Sequence, residues 1–284
     1  MALTVYPPCE ALRPYIRSFS IEETTGTALR KVLPGTAAVM GFQFRGNLFL
    51  VTRPPHPLIM ANSPQLNFTP HTPPPTRAES PESPLAPAGI TGLQDSYRLF
   101  RNSAGTGTLL VHFTETGAAN FFESPLHLLY NASNSLQDLV PASEISRIEE
   151  QLAATPDNNT RITLIEQWLL SRRRNSKPDA LIQTAVAKIH HSKGQLRIAS
   201  LSQELYISPS RLEKRFRAAV GASPKKFANL VRLQQVLKAT PTNGDLTALA
   251  YEAGYFDQSH FIHDFTAHTG VTPADFFRNT LSHP

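Results

Sequence analysis

The chain has 284 residues, 40% of them apolar, which suits one large domain or two ordinary ones. Its 27 basic and 22 acidic side chains give a net charge of +5, which permits an anionic partner without requiring one. A single cysteine, Cys9, excludes an intramolecular disulfide and any zinc site that needs two thiolates, so we expect a reducing compartment. The sequence has no early basic cluster before an apolar run and no stretch of about 18 apolar residues. It therefore predicts a cytoplasmic protein without a signal peptide or membrane span.

The first half of the sequence is typical of β-structure. Short apolar, β-branched and aromatic runs are separated by Gly, Pro and Asn, namely VMGFQF, LFLV, PLIMA, SYRLF and GTLLVHF. They predict an antiparallel sheet or a partial barrel. Within this half, seven prolines lie among Ser, Thr and Glu in a segment of about residues 70–87, and this composition predicts a loop.

Helical patterns begin after Gly117. The runs SEISRIEEQLAA and NTRITLIEQWLLSRRR have apolar residues at helical spacing, and Asn159 or Thr160 could cap the second helix. We expect these helices to pack on the sheet. The polar segment around residue 176 predicts a boundary between an N-terminal domain, 1–176, and a C-terminal domain, 177–284.

Positive charge is concentrated in one stretch of the C-terminal part. Residues 188–238 hold 11 basic and 2 acidic side chains, a net charge of +9, which leaves −4 for the remainder of the chain.

The C-terminal part also contains an internal repeat. RLEKRFRAAVGASPKKF matches HFIHDFTAHTGVTPADF at an offset of 49, whereas the residues upstream match at 48, so the second copy has one extra residue in its turn.

Each copy of the repeat predicts a helix, a tight turn and a second helix. In the first copy Leu212 and Phe216 should face the core, and Ser208 or Ser210 should cap the second helix. Asp257 is the corresponding cap in the second copy, and Gly221 and Gly270 should end the two helices. The joining segment SPKKFANLVRLQQVLKAT predicts a helix of about 16 residues, or about 24 Å. The predicted fold class is α+β, with a β-rich N-terminal domain carrying packed helices and an all-α C-terminal domain of two helix-turn-helix units joined by a long helix.

Two such units favour a duplex DNA partner. A helix-turn-helix unit places its second helix in the major groove, and two units on one face of DNA need centres about 34 Å apart. The joining helix plus the width of the units is compatible with this distance. The alternative to a DNA-binding module is a helical repeat whose basic face contacts only solvent. The duplicated unit, the cap residues and the concentrated positive charge argue against this alternative.

The stretches SPSRLEKRFRAAVGASPKKF and AGYFDQSHFIHDFTAHTGVTPADFF resemble the AraC/XylS family of bacterial transcription regulators over residues 180–278. The runs YPPCEALRPYIRSF and GTLLVHFTETGAANFF are similar to the sensory or dimerisation region of a subgroup of that family. The resemblance implies a DNA-binding regulator that reads two successive major grooves. It also implies that RNA polymerase, a small-molecule effector and a second copy of the chain are further partners to consider.

The residues that would contact bases follow from the family's motif. In the two units they are Ser210, Arg211, Glu213, Lys214, Arg217, and Gln258, Ser259, Ile262, His263, Thr266. Candidate contacts to the DNA backbone are Arg197, Arg215, Lys225, Lys226 and Arg232. Family members commonly have a basic residue where His263 stands, so we expect the first unit to supply most of the phosphate affinity and the second to contribute shape and neutral contacts.

The sequence predicts no catalytic site, cofactor or metal site. It lacks the G-x-S-x-G, P-loop and G-x-G-x-x-G patterns, and His260 and His263 have no cysteine or suitably spaced carboxylate beside them. Two alternatives to an effector-responsive regulator stay open at this point. One is a nucleoid-type DNA binder without an effector, and the other is an N-terminal enzyme acting on a small metabolite and tethered to DNA by the C-terminal module.

Overall fold

The computed structural model describes residues 2–51, 82–174, 178–239 and 246–281. The strands of the described part precede most of its helices. They are β1 (Ala2–Tyr6), β2 (Ile16–Glu23), β3 (Ala28–Val32), β4 (Val39–Arg45), β5 (Leu48–Val51), β6 (Glu82–Pro84), β7 (Ala88–Thr91), β8 (Arg98–Asn102), β9 (Gly107–Phe113) and β10 (Ser133–Ser135). The helices are α1 (Ala142–Ala154), α2 (Asn158–Arg172), α3 (Ala180–His191), α4 (Ile198–Glu204), α5 (Pro209–Val220), α6 (Pro224–Lys238), α7 (Leu246–Glu252), α8 (Gln258–Thr269) and α9 (Pro273–Leu281).

The strands form two antiparallel sheets. The six-stranded sheet has the order β1-β2-β9-β4-β7-β10, and the four-stranded sheet has the order β3-β8-β5-β6. Val111 of β9 is the register partner of both Phe19 in β2 and Met40 in β4. In the smaller sheet Phe100 pairs with both Arg30 and Leu50. The antiparallel arrangement predicted from the apolar runs is therefore confirmed.

Side-chain alternation gives the larger sheet two different faces. On β4, Met40, Phe42 and Phe44 are buried in the same core as α1 and α2, and the Phe42 and Trp168 rings meet edge to face at 5.8 Å. The intervening residues Val39 and Gly41 face the opposite way, into a cavity bounded by the four-stranded sheet. The N-terminal half is thus built as helices, six-stranded sheet, cavity and four-stranded sheet.

Two local predictions in the N-terminal half need correction. Helix α2 is capped by Asp157, not by Asn159 or Thr160, because the Asp157 carboxylate accepts the Thr160 N–H at 2.9 Å. In the predicted proline-rich loop, residues 70–81 lie outside the described residues, but Glu82–Pro84 form strand β6 and pair with β5. A proline is tolerated there because β6 lies at the edge of its sheet, where a missing backbone donor costs little.

The C-terminal helices form two apolar clusters that share α6. The first cluster joins α3, α4 and α5 to Phe227, Leu230 and Val231, and the second joins α7, α8 and α9 to Leu233 and Val236. Helix α6 has 15 residues, close to the predicted length. Among the described helices, none combines the length and apolar character that crossing a bilayer requires.

The turns of the two helical units correspond closely. Tyr206 follows α4 with a φ of 51°, and Gly254, 48 residues later, follows α7 with a φ of 76°. Both turns therefore need left-handed backbone at this position, which glycine adopts without steric cost and tyrosine does not. The extra residue of the second turn is Phe256, whose side chain is 89% exposed.

The N-terminal half contacts the C-terminal half directly. Leu93, in the connection between β7 and β8, is buried in the core formed by α3, α4, α5 and α6. The 3₁₀ turn Leu126–Leu129 lies against the end of α5, where the backbone of Leu126 borders Gly221. Residues 175–177, beside the predicted domain boundary, lie outside the described residues, so the boundary near 176 stays a prediction.

Gly194 offers a test of the packing between α3 and α6. Its φ is +77°, and an added Cβ would overlap the carbonyl oxygen of Ala228 in α6. We expect Gly194→Ala to lower the free energy of unfolding by about 2 kcal/mol or more, because it combines backbone strain with a steric clash. Gly26→Ala is the matched control, since no atom lies within 4 Å of its added Cβ. Urea unfolding followed by circular dichroism measures both, and equal midpoints for the two variants would contradict this account.

Candidate nucleic-acid interface

Helix α5 separates an apolar inner face from a polar outer face. Ser208 caps its start by accepting the Arg211 N–H at 3.4 Å, and Gly221 ends it in left-handed backbone. Leu212, Phe216 and Val220 are fully buried. This confirms the predicted inward residues and resolves the choice of cap in favour of Ser208.

The outer face of α5 carries the predicted base-contacting residues of the first unit. All five are exposed to solvent, namely Ser210, Arg211, Glu213, Lys214 and Arg217. Arg217 lies 3.8 Å from Glu213 one turn away, and both side chains are about half exposed. A surface pair of this kind contributes little to stability, so the guanidinium can exchange the carboxylate for another anion at small cost.

His127 lies beside this outer face. With Ser210, Glu213, Lys214 and Arg217 it lines a cleft of about 410 Å³. The Nδ1 atom of His127 is buried and has no hydrogen-bond partner among the described residues. The N-terminal half therefore borders one side of the surface that α5 presents.

The backbone-contact candidates fall into two groups. Arg197 and Lys225 are exposed. Arg215 makes two hydrogen bonds to Asp179, at 2.9 and 2.6 Å, and Lys226 lies 4.4 Å above the Tyr130 ring. Arg232 donates to the Gly194 carbonyl at 3.4 Å. These contacts give Arg215, Lys226 and Arg232 structural partners, although Lys226 itself stays exposed. Within the described part of the chain, the side chains of Arg197 and Lys225 make no hydrogen bond or ion pair.

Helix α8 repeats the construction of α5 with fewer charges. Asp257 accepts the His260 N–H at 2.7 Å, Gly270 ends the helix with a φ of 73°, and Phe261 and Phe265 are fully buried. The exposed residues on its outer side are Gln258, Ser259, Ile262 and His263. Thr266 is partly buried, and its hydroxyl oxygen is buried without a hydrogen-bond partner among the described residues.

Sequence reasoning missed several exposed aromatic side chains on these units. Tyr206 is 98% exposed, Phe256 89% and Tyr251 62%. The change of the repeat offset from 48 to 49 could have indicated that Phe256 is exposed, because a residue inserted into a tight turn has no position in the core to occupy. An aromatic ring next to a helix start offers flat apolar surface to a partner.

The connection between β7 and β8 joins the N-terminal half to the end of α8. The Tyr97 N–H donates to the His268 carbonyl at 2.8 Å, and His268 Nδ1 donates to the Asp95 carbonyl. His268 Nε2 lies 3.5 Å from the Asp264 carboxylate. Both ring nitrogens thus face acceptors, which favours the protonated imidazolium. Burial alone would lower the pKa of His268, but the acceptors on Asp264 and Asp95 outweigh burial and raise it.

A second ionic contact between the halves centres on Glu115. Its carboxylate accepts from Arg17 at 2.7 Å and lies 3.1 Å from His190 Nε2 in α3. Burial would raise the pKa of Glu115, but the hydrogen bond with His190 and the charge of Arg17 prevail and lower it to about 2. Glu115 therefore stays ionised throughout the physiological range.

The described residues bring together no three His, Cys, Asp or Glu side chains that could hold a metal ion. Cys9 is partly buried, and its backbone N–H donates to Glu166 at 2.6 Å. A cavity lies between the two sheets of the N-terminal half. It has a volume of about 470 Å³ and a mainly apolar lining.

The comparisons agree with a helix-turn-helix construction in the C-terminal half. Residues 201–279 match the family described as "Helix-turn-helix domain". This match and two relatives confirm the resemblance to AraC/XylS-type regulators that is seen in the sequence.

The chain is similar to the arabinose operon regulatory proteins of Salmonella typhimurium and Escherichia coli. It is 30% identical to each over 124 residues, which cover 40% of this chain and 44% and 42% of those proteins. The match thus spans less than half the length of these relatives.

Among solved structures, ToxT from Vibrio cholerae aligns over 98% of this chain and 97% of its own, with 10% identity and a TM-score of 0.44. The C-terminal domain of AraT from Geobacillus stearothermophilus aligns over 37% of this chain and 88% of its own, with 22% identity and a TM-score of 0.35.

His268 gives a pH test of the contact between the halves. Because its pKa is raised on folding, its contribution to stability is fully present below the ordinary value of 6.5 and is lost as the pH rises through the folded value. We expect the free energy of unfolding to fall between pH 6 and pH 8.5 more steeply in the wild type than in His268→Gln.

The exposed His191 on α3 provides the control for this test. His191→Gln should keep the wild-type pH dependence in urea titrations at the two pH values. If all three proteins lost stability equally over this range, the assigned role of His268 would be wrong.

Proposed function

We propose that this protein is a sequence-specific DNA-binding transcription regulator, and that α5 and α8 enter two successive major grooves of duplex DNA. The observation that carries the proposal is the shared construction of these helices, each with a side-chain cap, a left-handed end and an exposed polar face. Both are fixed to α6, whose 15 residues span about 22 Å at about 1.5 Å per residue. An activity on DNA would place the protein in the cytoplasm, with regulation rather than catalysis as its role.

In this proposal the two helices contribute unequally to affinity. Lys214, Arg217 and Arg211 give α5 a cationic outer face, and Arg197 and Lys225 supply backbone contacts nearby. Helix α8 offers Gln258 for a neutral hydrogen bond to a base edge and Ile262 for contact with a thymine methyl group. Ser210, Glu213, Ser259 and His263 complete the two faces. Phosphate neutralisation, and with it the salt dependence, should therefore come mainly from the first unit.

The cavity of the N-terminal half supplies the proposed effector site. Its volume of about 470 Å³ lies in the range of small-molecule sites, which are mainly apolar with a few polar groups that orient the ligand. The surrounding strands contact the DNA-binding half through Leu93, Asp95 and Tyr97. An occupant could therefore favour one arrangement of the two halves over another. RNA polymerase and a second copy of the chain are the further proposed partners.

The salt dependence of binding tests the unequal contributions. A duplex that the wild-type protein selects from a random-sequence pool serves as the probe, and its affinity is measured by fluorescence anisotropy between 50 and 200 mM salt, roughly the range over which phosphate contacts are screened. We expect Lys214→Ala combined with Arg217→Ala to weaken binding about tenfold and to reduce the salt slope by about 1 per charge removed. His263→Ala should leave the slope unchanged.

Arg147→Ala is the matched charge control, because Arg147 is exposed on α1, away from both units. It should bind like the wild type. An unchanged salt slope in the Lys214 and Arg217 variant, together with loss of binding in His263→Ala, would overturn the assignment of the first unit as the main anchor. Failure of the wild type to select any sequence would overturn the proposed function itself.

A further inference from the structure

Two arginine side chains of the described part of the chain line the cavity, and only one of them forms an ion pair with a carboxylate there. Arg30 and Glu22 both line it and pair with each other across β2 and β3. Arg98, at the start of β8, also lines it. Among the described residues, no carboxylate oxygen lies within 4.0 Å of the Arg98 guanidinium, so Arg98 forms no direct ion pair there and feels the charge of Asp95 only at longer range.

The hydrogen bonds of Arg98 all go to neutral acceptors. Its Nε donates to the Gln94 side-chain oxygen at 2.7 Å, and its Nη2 donates to the Asn131 carbonyl. Its Nη1 has no hydrogen-bond partner among the described residues. Burial lowers the pKa of Arg98 while the charge of Asp95 raises it, so the net lowering reflects a desolvated cation. An arginine keeps its proton even then, and an anion placed beside it would recover part of the lost solvation energy.

The other residues that line the cavity suit a compact apolar group of a ligand. Val32, Val39, Leu48, Phe100 and Leu110 face the cavity from both sheets. Burial lowers the pKa of His112, which accepts or donates a hydrogen bond with Ser20 at 2.8 Å, so it remains neutral near pH 7 and adds no competing charge. The site therefore combines one cation that has no directly paired carboxylate among the described residues with mainly apolar walls.

We propose that the cavity binds a small organic carboxylate whose charged group pairs with Arg98 and whose apolar part lies between the two sheets. This inference rests on the proposed function of the cavity as an effector site and adds the chemical class of the effector. A bidentate arginine–carboxylate pair matches the planar guanidinium geometry and is stronger than a hydrogen bond to a neutral carbonyl. The carboxylate would take the place of the Asn131 carbonyl or occupy the free Nη1 side.

Arg98 also connects this site to the DNA-binding half. Arg98 donates to the backbone carbonyl of Asn131, and the Asn131 side chain is hydrogen-bonded to Asp95. Its amide oxygen accepts the Asp95 N–H at 2.9 Å, and its Nδ2 donates to the Asp95 carboxylate at 2.8 Å. Asp95 in turn accepts from Tyr130 at 2.7 Å and from His268 of α8. Drawing Arg98 toward a ligand would therefore change the segment that contacts the end of α8. The effector and DNA should affect each other's binding through this segment.

Calorimetry on the full chain tests the ligand class. The probe is 4-phenylbutyrate, compared with its uncharged amide, and benzoate and hexanoate extend the set of carboxylates. We expect the wild type to bind at least one carboxylate about tenfold or more tightly than the matching amide, which corresponds to the loss of one charge-assisted pair. Arg98→Gln should remove this preference while retaining a hydrogen-bonding side chain.

Arg101→Gln is the matched control on the same strand. Arg98, Phe100 and Asn102 line the cavity, whereas Arg101 points to the other face of β8 and pairs with Glu82. This variant should keep the wild-type preference. Equal binding of acid and amide, unchanged binding in Arg98→Gln, or no binding of any carboxylate tested would overturn the proposal.

The selected DNA duplex provides the second readout. A saturating carboxylate should shift the DNA dissociation constant of the wild type and leave that of Arg98→Gln unchanged, since coupling between sites is reciprocal. Carboxylate binding without any shift in DNA affinity would overturn the connection through Asn131. Calorimetry needs no DNA, so a chain that binds the carboxylate but selects no duplex would refute the DNA-binding function alone.

Discussion

The arrangement of the helical C-terminal half depends on burial of a single helix, α6, in two separate apolar cores. Its first turns contribute Phe227, Leu230 and Val231 to the core of the first unit, and its later turns contribute Leu233 and Val236 to that of the second. A helix fixed at both ends by fully buried side chains cannot rotate or bend without opening one of the cores. The separation and the relative direction of α5 and α8 are thereby set by the fold of the chain itself.

Much of this half could be predicted from the sequence because its signals are local. The cap residues Ser208 and Asp257 and the terminal glycines Gly221 and Gly270 act within one helical turn, and all four occupy the expected positions. The apolar spacing of Leu212 and Phe216 identified the buried face correctly. Thr266 shows the limit of such reasoning, since its place at the edge of the helix face left open whether packing would cover the hydroxyl.

The features that depend on contacts between distant segments could not be predicted in this way. Arg98 and Asn131 are separated by 33 positions and Asp95 and His268 by 173, and neither pair has a pattern that links them in the sequence. The paired role of Arg215 with Asp179 was hidden for the same reason, since a basic residue on a helix looks the same whether it faces solvent or a carboxylate. Strand β6 escaped prediction because Ser83, Pro84 and the neighbouring prolines favour a loop, and its pairing with the distant strand β5 is not visible in the sequence.

The hydrogen bonds at the end of α8 contribute only weakly to the contact between the two halves. The His268 carbonyl that receives the Tyr97 N–H is one of the last carbonyls of a helix, which water can solvate once the halves part. Each such bond contributes only about 1 kcal/mol net, because water replaces the lost partner. The hydrogen bonds at the end of α8 are thus a weak and easily rehydrated part of the contact between the halves, whereas Leu93 of the connection between β7 and β8 is buried in the core of the first unit.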